Sequence, residues 1–270
     1  MIQLAYIYVS SSQNSLLKEY KRLQNSSQHR RKKGRIALEG PNLVRAALSK
    51  GLVPQVVFYT QDYYESDGKE WLNDLPTKVK QVILTPALFS SIASTETPQA
   101  VAAISAYDYK DKDQAEDWAE KLVLVLDRVR DPGNMGTIIR TAAAVGVDII
   151  FYTSGSADPY NPKVLRATAG SIFSVPIKLT VKPLTLLRRL KHKGLQVVAS
   201  AVCSDCSYWS VDYRAPTVLL IGNETDGITE ELSSEADFRV SIPLAEPVES
   251  LNAAVAAALI LYEVIRQRRP

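Results

Sequence analysis

Several polar residues in the second half of this 270-residue chain stand directly after apolar, strand-like runs. Asn134 and Arg140 follow the run 121–127, and Glu224 follows the run 217–222. In open α/β sheets, ligands bind in the crevice beyond the carboxyl ends of the parallel strands. A carboxylate or an amide at such a position binds a ligand or caps the next helix. Taken singly, Arg140 and Glu224 also fit the role of solvated surface residues, so these segments alone leave the chemistry open.

A third group of polar residues precedes the last predicted helix. Ser250 and Asn252 stand near the start of an Ala-rich amphipathic stretch within residues 245–269. The free N–H groups of a helix N-terminus attract anions and the polar ends of ligands. The alternative is that Ser250 is only the N-cap and Asn252 only a first-turn residue.

The elements around these residues have the order of an α/β sheet. The run 121–127 predicts a buried strand, and the Gly- and Pro-containing segment 128–136 predicts a loop. Apolar residues at helical spacing then predict a helix that ends at Gly146. Further strands are predicted at 147–151, 217–222 and 238–244. The dinucleotide-binding pattern G-x-G-x-x-G is absent, which removes the main support for a dehydrogenase.

These three segments together resemble the signature motifs of the SpoU/TrmH family, the SPOUT-class RNA ribose 2′-O-methyltransferases. The residues that match its N-x-G-x-x-x-R, G-N-E-x-x-G and I-P…S-L-N patterns are Asn134, Gly136, Arg140, Gly222, Asn223, Glu224, Gly227, Ile242, Pro243, Ser250, Leu251 and Asn252. The segment 161–177 is also similar to the family, with Arg166 and Gly170 in place. One departure bears on loop shape and substrate fit: Ala245, Glu246 and Pro247 stand where family members commonly have glycine.

The resemblance implies a C-terminal parallel-sheet α/β domain with a deep trefoil knot that binds S-adenosylmethionine (AdoMet) and forms a homodimer. It implies catalytic roles for Arg140, Asn134, Glu224, Ser250 and Asn252. It implies cofactor contacts from Ala201, Gly222, Asn223, Ile242, Leu244 and Leu251. A guanidinium has a pKa above about 12 and does not normally give up its proton. We therefore expect Arg140 to stabilise the developing alkoxide, and the sequence leaves the proton acceptor open.

The first half of the chain carries a dense basic cluster. After a predicted helix at 12–25 come Arg30, Arg31, Lys32, Lys33 and Arg35, which predict a phosphate-binding patch. The density of these residues predicts that they do not pack in a core. The alternative is a solvated basic turn. Strands are predicted at 36–40, 54–60, 79–85 and 100–107, with a helix at 41–50. This half resembles the family's smaller N-terminal α/β RNA-binding domain, which is similar to a ribosomal protein, and the family match adds Arg166 as an RNA contact.

Composition and charge fit two ordinary domains. We predict an RNA substrate-binding domain at 1–106, a linker at 107–120 with one helical turn near Trp118, and a methyltransferase domain at 121–270. Net charge is only +3, so the chain as a whole does not demand a nucleic-acid partner. The charge is concentrated instead, with eight Lys or Arg and one acidic residue from Lys18 to Arg35.

Metal, redox and membrane roles find little support in the sequence. Cys203 and Cys206 form a C-x-x-C, but the only histidines are His29 and His192, so we expect two free thiols and no metal. The apolar start of the chain lacks a basic flank and a cleavage pattern, and is either an added strand or an upstream extension. No run is long enough to span a membrane, so a cytoplasmic location is expected.

The predicted function is AdoMet-dependent methylation of a ribose 2′-hydroxyl, with ribosomal RNA as the first substrate. Transfer RNA is the runner-up, and protection against a ribosome-targeting antibiotic is a narrower variant. Two other classes stay open: an RNA-binding protein that has lost the chemistry, and a small-molecule dehydrogenase.

Overall fold

The computed structural model describes residues 6–107 and 121–269. The chain divides into two compact units, Met1–Lys110 with Tyr160–Phe173, and Asp111–Pro159 with Ser174–Pro270. The predicted linker, including the helical turn near Trp118, lies outside the described residues apart from Tyr107. Residues 160–173 group with the first unit, although the sequence boundaries assigned them to the second.

The first unit contains a mixed five-stranded sheet. Its elements are β1 (Tyr6–Val9), α1 (Ser15–Asn25), α2 (Ser27–Lys33), β2 (Arg35–Glu39), α3 (Pro41–Ser49), β3 (Pro54–Thr60), α4 (Gln61–Tyr63), a π-helical turn (Tyr64–Gly68), α5 (Lys69–Asn73), β4 (Lys80–Leu84), α6 (Pro86–Ile92), β5 (Val101–Ala106) and α8 (Pro162–Ala167). The strand order is β1-β4-β3-β5-β2, and β5 runs antiparallel to both of its neighbours. The four strands and the helices predicted in this half are confirmed within a few residues.

Strand β1 (Tyr6–Val9) belongs to this sheet. Of the two alternatives for the apolar start, residues 6–9 form the added strand, which pairs in parallel with β4. On α1, Leu17, Tyr20 and Leu23 are buried in the core, and the Tyr20 hydroxyl donates to the carbonyl of Leu38 at 3.1 Å. Burial of these three side chains therefore fixes α1 against β2.

The second unit contains a six-stranded, all-parallel sheet. Its elements are β6 (Leu122–Leu126), α7 (Pro132–Val145), β7 (Ile149–Thr153), β8 (Ile177–Thr180), α9 (Pro183–His192), β9 (Gln196–Ser200), a 3-10 turn (Tyr208–Ser210), β10 (Thr217–Ile221), α10 (Glu230–Ser233), β11 (Phe238–Val240) and α11 (Ala253–Arg268). Every residue of β6, β7 and β10 is buried, as expected for strands covered on both faces. The parallel α/β fold predicted from the sequence is confirmed.

The order of the strands creates a crevice. The strand order in the sheet is β11-β9-β10-β6-β7-β8. Strands β7 and β8 are added on one side of β6, and the later strands β9, β10 and β11 are added on its other side. Strand order reverses between β6 and β10, and ligands of open α/β sheets bind beyond the carboxyl ends of strands at such a point. The predicted strand 238–244 is shorter than expected, because it ends at Val240 and Pro243 has no N–H to donate. In the described part of the chain, no helix is long and apolar enough to cross a bilayer.

Candidate active site

Helix α7 begins earlier than the sequence indicated. The side chain of Asp131 caps it by accepting from the Asn134 N–H at 2.8 Å, and Pro132 occupies the first helical position. Both features favour a helix start at this point. The expectation that Asn134 and Gly136 lie in a loop is therefore wrong, since both lie in the first turns of α7.

A tight turn follows β10. Asn223 is 7% exposed, and its Oδ1 accepts from the N–H groups of Thr225 and Asp226 at 2.7 and 3.2 Å. Its Nδ2 donates to the carbonyl of Arg128 at 3.0 Å, in the segment between β6 and α7. A Cβ on Gly222 would overlap the backbone of Gly227, so the end of β10 requires glycine. The turn is thus fixed by its own side chains and held to the next segment.

The third segment is the start of α11, where Asn252 is the N-cap. Its Oδ1 accepts from the N–H groups of Ala254 and Val255 at 2.9 and 3.3 Å. Its Nδ2 donates to Oδ1 of Asn134 at 2.8 Å. The alternative in which Ser250 is the N-cap and Asn252 only a first-turn residue is wrong, because the Asn252 side chain itself satisfies the first orphan donors of the helix.

These segments bring three predicted catalytic residues together. Asn134 accepts from Asn252 through Oδ1 and donates through Nδ2 to Oε1 of Glu224. We refer to Asn134, Glu224 and Asn252 as the polar cluster. Arg140 lies further along α7, is exposed, and makes no hydrogen bond or ion pair with the described residues. Its guanidinium is therefore available to a ligand.

A cavity of about 250 Å³ adjoins the polar cluster at the carboxyl ends of β9, β10 and β11. Glu224 and Ser250 line it, so it touches the cluster directly. All six residues predicted to bind cofactor also line it: Ala201, Gly222, Asn223, Ile242, Leu244 and Leu251. Asn223 differs from the others, because its Oδ1 is engaged within the turn and its Nδ2 with the carbonyl of Arg128. The two other polar side chains on the wall are those of Ser200 and Ser233, and the remainder is mainly apolar.

One residue that supports the site was not predicted from the sequence. Asp127, at the end of β6, is 2% exposed, and its carboxylate accepts from the Thr153 hydroxyl at 3.0 Å and the Thr229 N–H at 2.8 Å. Its carboxylate therefore joins the end of β7 and the start of α10 to β6, and its N–H donates to the carbonyl of Ile221 at the end of β10 at 2.8 Å. The feature of the sequence that could have indicated Asp127 is a single carboxylate at the end of the apolar run 121–127. Thr229 is the N-cap of α10, but its side chain makes no capping bond.

The basic cluster does not act as one unit: four of its five residues lie on α2, and Arg35 is the first residue of β2. Arg30 is 2% exposed, and its Nη1 donates to the carbonyls of Leu23 and Gln24 at 2.6 and 3.1 Å. The prediction that Arg30 stays out of the core and contacts phosphate is therefore wrong, because it satisfies carbonyls at the end of α1. Arg31, Lys32 and Lys33 are exposed. Arg35 is half-buried, with Nη1 3.9 Å from Glu19.

Arg166 is half-buried on α8. Its Nη1 donates to Oγ of Ser94 at 2.5 Å, and the Ser94 and Thr95 hydroxyls donate to the carboxylate of Glu39. The predicted RNA contact from Arg166 would thus come from a guanidinium that already has a protein partner. Cys203 and Cys206 are free thiols, and no group of His, Cys, Asp and Glu among the described residues is arranged to hold a metal.

The all-parallel sheet, the cavity at the carboxyl ends of β9, β10 and β11, and the adjoining polar cluster are typical of an α/β enzyme that binds a small-molecule cofactor. Residues 121–262 match the model of the SpoU rRNA Methylase family, and residues 14–103 match the MRM3-like substrate binding domain. The chain belongs to the SpoU rRNA methylase family.

Relatives match over nearly the whole chain. The 23S rRNA (guanosine(2553)-2′-O)-methyltransferase RlmP of Bacillus subtilis is 33% identical, over 95% of this chain and 98% of that protein. The 23S rRNA (uridine(2479)-2′-O)-methyltransferase of Streptomyces viridochromogenes is 30% identical, over 96% and 92%. The crystal structure of the SpoU methyltransferase AviRb from Streptomyces viridochromogenes, in complex with the cofactor AdoMet, superposes with a TM-score of 0.84 at 30% identity, covering 94% of this chain and 99% of that one.

Proposed function

We propose that this protein transfers a methyl group from AdoMet to a ribose 2′-hydroxyl of ribosomal RNA. The observation that carries the proposal is the polar cluster of Asn134, Glu224 and Asn252, which adjoins a cavity lined by all six predicted cofactor residues. Relatives that match almost the full length are 23S rRNA 2′-O-methyltransferases, which supports both the reaction and the RNA class.

The chemistry of the cavity wall fits AdoMet. Ile221, Ile242, Leu244 and Leu251 offer apolar surface for an adenine ring. Ser200, Ser233 and Ser250 offer hydroxyls for the polar ends of the molecule, and the Glu224 carboxylate offers a negative charge toward a cationic sulfur. When bound, AdoMet supplies a methyl group already activated by the positive charge on its sulfur.

The residues of the chain would then align and polarise the hydroxyl. Asn134 and Asn252 hold each other through amide groups, which fixes the direction of the Glu224 carboxylate beside the cavity. Arg140 stabilises the negative charge that develops on the 2′-oxygen, since its guanidinium donates hydrogen bonds and keeps its proton. Alignment of oxygen, methyl carbon and sulfur supplies most of the remaining acceleration.

A homodimer is part of the proposal. Val255, Leu259 and Tyr262 lie one turn apart on α11 and are 48%, 39% and 56% exposed. Such an apolar stripe is typical of a surface that another protein covers. The competing explanation, in which the face packs only within its own unit, leaves these three side chains in water. A second copy of the chain would cover them symmetrically, the commonest arrangement for oligomers.

Substrate binding is assigned to the first unit, through Arg31, Lys32 and Lys33 on α2. These three side chains are exposed, and their residues lie within the range that matches a substrate-binding domain. Phosphate contacts of this kind fix the register of RNA without reading its sequence. The trefoil knot around the cofactor, which rests on the family resemblance, and a cytoplasmic location, which rests on the sequence, complete the proposal.

The proposal is tested by offering the purified chain AdoMet with either ribosomal RNA or transfer RNA. Calorimetry measures AdoMet binding, and label transfer from the methyl group measures catalysis. We expect AdoMet to bind and ribosomal RNA to be labelled. Labelling of transfer RNA alone would mean that transfer RNA, and not ribosomal RNA, is the substrate. RNA binding without AdoMet binding would favour an RNA-binding protein that has lost the chemistry.

A further inference from the structure

An exposed ion pair lies beside the polar cluster and has no role in the chemistry proposed above. Nη2 of Arg130 lies 3.3 Å from Oδ2 of Asp226, and Nη1 of Arg128 lies 3.9 Å from the same oxygen. The two arginines belong to the segment between β6 and α7, whereas Asp226 belongs to the turn after β10. The pair therefore joins two of the three segments that build the site.

Its position in the chain places it next to the proposed chemistry. Arg130 precedes Asn134 by four residues, just before the start of α7, and Asp226 follows Glu224 by two residues. Neither Arg130 nor Asp226 lines the cavity. The guanidiniums of Arg128 and Arg130 therefore lie outside the cofactor cavity, on segments that also carry residues of the polar cluster.

The backbone of Arg128 is held in an unusual conformation. Its φ of 54° lies in the left-handed region, which a residue with a side chain rarely adopts. Its N–H donates to the Thr153 hydroxyl at 3.0 Å, and its carbonyl accepts from Asn223 at 3.0 Å. These two bonds hold the strained residue in place. The Arg128 Nε lies 3.6 Å from Asp127 and has no hydrogen-bond partner among the described residues.

The pair with Asp226 is weak enough to exchange for another anion. The Arg130 side chain is 59% exposed and that of Asp226 is 44% exposed, and exposed ion pairs contribute little to stability. A phosphate offers a guanidinium two oxygens in the bidentate geometry that arginine prefers. Two other carboxylates lie nearby in the chain: Asp127 is buried and its ion pair is with Arg128, whereas Asp131 caps α7.

We propose that Arg130, with Arg128 beside it, binds a phosphate of the substrate RNA next to the target ribose, and that Asp226 holds Arg130 in place until the RNA displaces it. The inference rests on the proposed function, because it assumes that RNA approaches the polar cluster. Arg130 is thus a positioning residue. Asp226 acts as a competitor of the phosphate, which gives the two residues opposite effects on RNA affinity.

The test compares Arg130→Gln, Asp226→Asn and the unchanged chain. Filter binding of end-labelled ribosomal RNA at several salt concentrations gives affinity and salt slope, and steady-state methylation gives KM for RNA and kcat. We expect Arg130→Gln to weaken RNA binding about tenfold, raise KM, and flatten the salt slope by about one unit. We expect Asp226→Asn to tighten RNA binding about two- to fivefold, since one competing carboxylate is removed. Arg188→Gln is the matched control. Arg188 lies on α9, its side chain is 60% exposed, and its Nη2 lies 2.9 Å from Oε1 of Glu235.

Opposite shifts in RNA affinity for the two variants would support the proposal. If both variants weaken RNA binding, or if both lower kcat with RNA affinity unchanged, the pair only ties the two segments together and the inference is wrong. Failure of the proposed function looks different: the unchanged chain would bind RNA without transferring a methyl group. The filter-binding shifts would still decide the role of Arg130 in that case.

Discussion

Asn252 donates from Nδ2 to Oδ1 of Asn134 at 2.8 Å, across 118 positions of sequence. The other end of the same side chain caps α11 through the N–H groups of Ala254 and Val255. One amide therefore starts the last helix and orients the polar cluster. An aspartate could supply the first of these functions, but only an amide supplies both.

The double role of Asn252 predicts that its two functions can be separated. Asn252→Asp keeps an oxygen that caps α11, so we expect the free energy of unfolding to change little. It loses the donor to Asn134, so we expect methyl transfer to fall about a hundredfold. Asn252→Ala loses both functions and should also cost about 1 kcal/mol of stability. Urea unfolding and kcat measure the two effects, and an Asp variant with normal turnover would contradict the assignment.

Replacement of Arg140 is expected to impair catalysis without lowering the stability of the fold. The side chain is exposed and makes no bond with the described residues, so its removal leaves no protein group unpaired. We expect Arg140→Ala to lower kcat by a factor of about a hundred to a thousand, with AdoMet affinity retained in calorimetry. Arg140→Lys is the companion variant, which keeps the charge and loses the planar fork. Near-normal turnover in the Ala variant would refute the role.

Within the basic cluster, replacing the exposed residues and replacing the buried Arg30 should have different effects. Replacing Arg31, Lys32 and Lys33 together with Gln should weaken RNA binding and flatten the salt slope by up to about one unit per lost contact. Arg30→Gln should instead destabilise folding by about 1–3 kcal/mol, because it leaves carbonyls at the end of α1 without their buried donor. Salt-dependent RNA binding and urea unfolding separate the two. Coinciding salt slopes for the triple variant and the unchanged chain would make α2 an ordinary solvated helix.

The exposed stripe on α11 predicts a dimer that one charge disrupts. We expect the full chain to sediment as a dimer at micromolar concentration, and Leu259→Glu to sediment as a monomer, because a carboxylate would be buried in an apolar interface. Val181→Glu is the control, since Val181 is 72% exposed after β8 at the far edge of the sheet. A monomeric, fully active unchanged chain would remove the dimer from the proposal.

The fully buried strands β6, β7 and β10 of the second unit could be predicted, because burial on both faces leaves a continuous apolar run in the sequence. Runs 121–127 and 217–222 were located within one residue at each end. The segments containing β8, α9 and β9 gave no comparable signal and were not predicted. For β8, only the first of four residues is buried, so its sequence lacks the apolar run of a central strand.

The predictions for Arg30 and for Asn252 were wrong for the same physical reason. The burial of Arg30 depends on the carbonyls of Leu23 and Gln24, and the Asn252 side chain makes its second bond to Asn134, far away in the sequence. Local charge density and local propensity do not report such partners. The family motif located Asn134, Glu224 and Asn252 correctly in the chain. It did not reveal that Asn134 lies in a helix, nor that Asp127 joins the strand ends beneath it.

The central claim is that the methyl group goes to a ribose 2′-oxygen. The most direct measurement is alkaline hydrolysis of ribosomal RNA that the protein has labelled with methyl-labelled AdoMet. Alkali needs a free 2′-hydroxyl to cleave the neighbouring phosphodiester, so a 2′-O-methylated nucleotide stays in a dinucleotide. We predict that the label appears in one alkali-resistant dinucleotide and is lost in Arg140→Ala. Label released in mononucleotides would mean base methylation and would contradict the account.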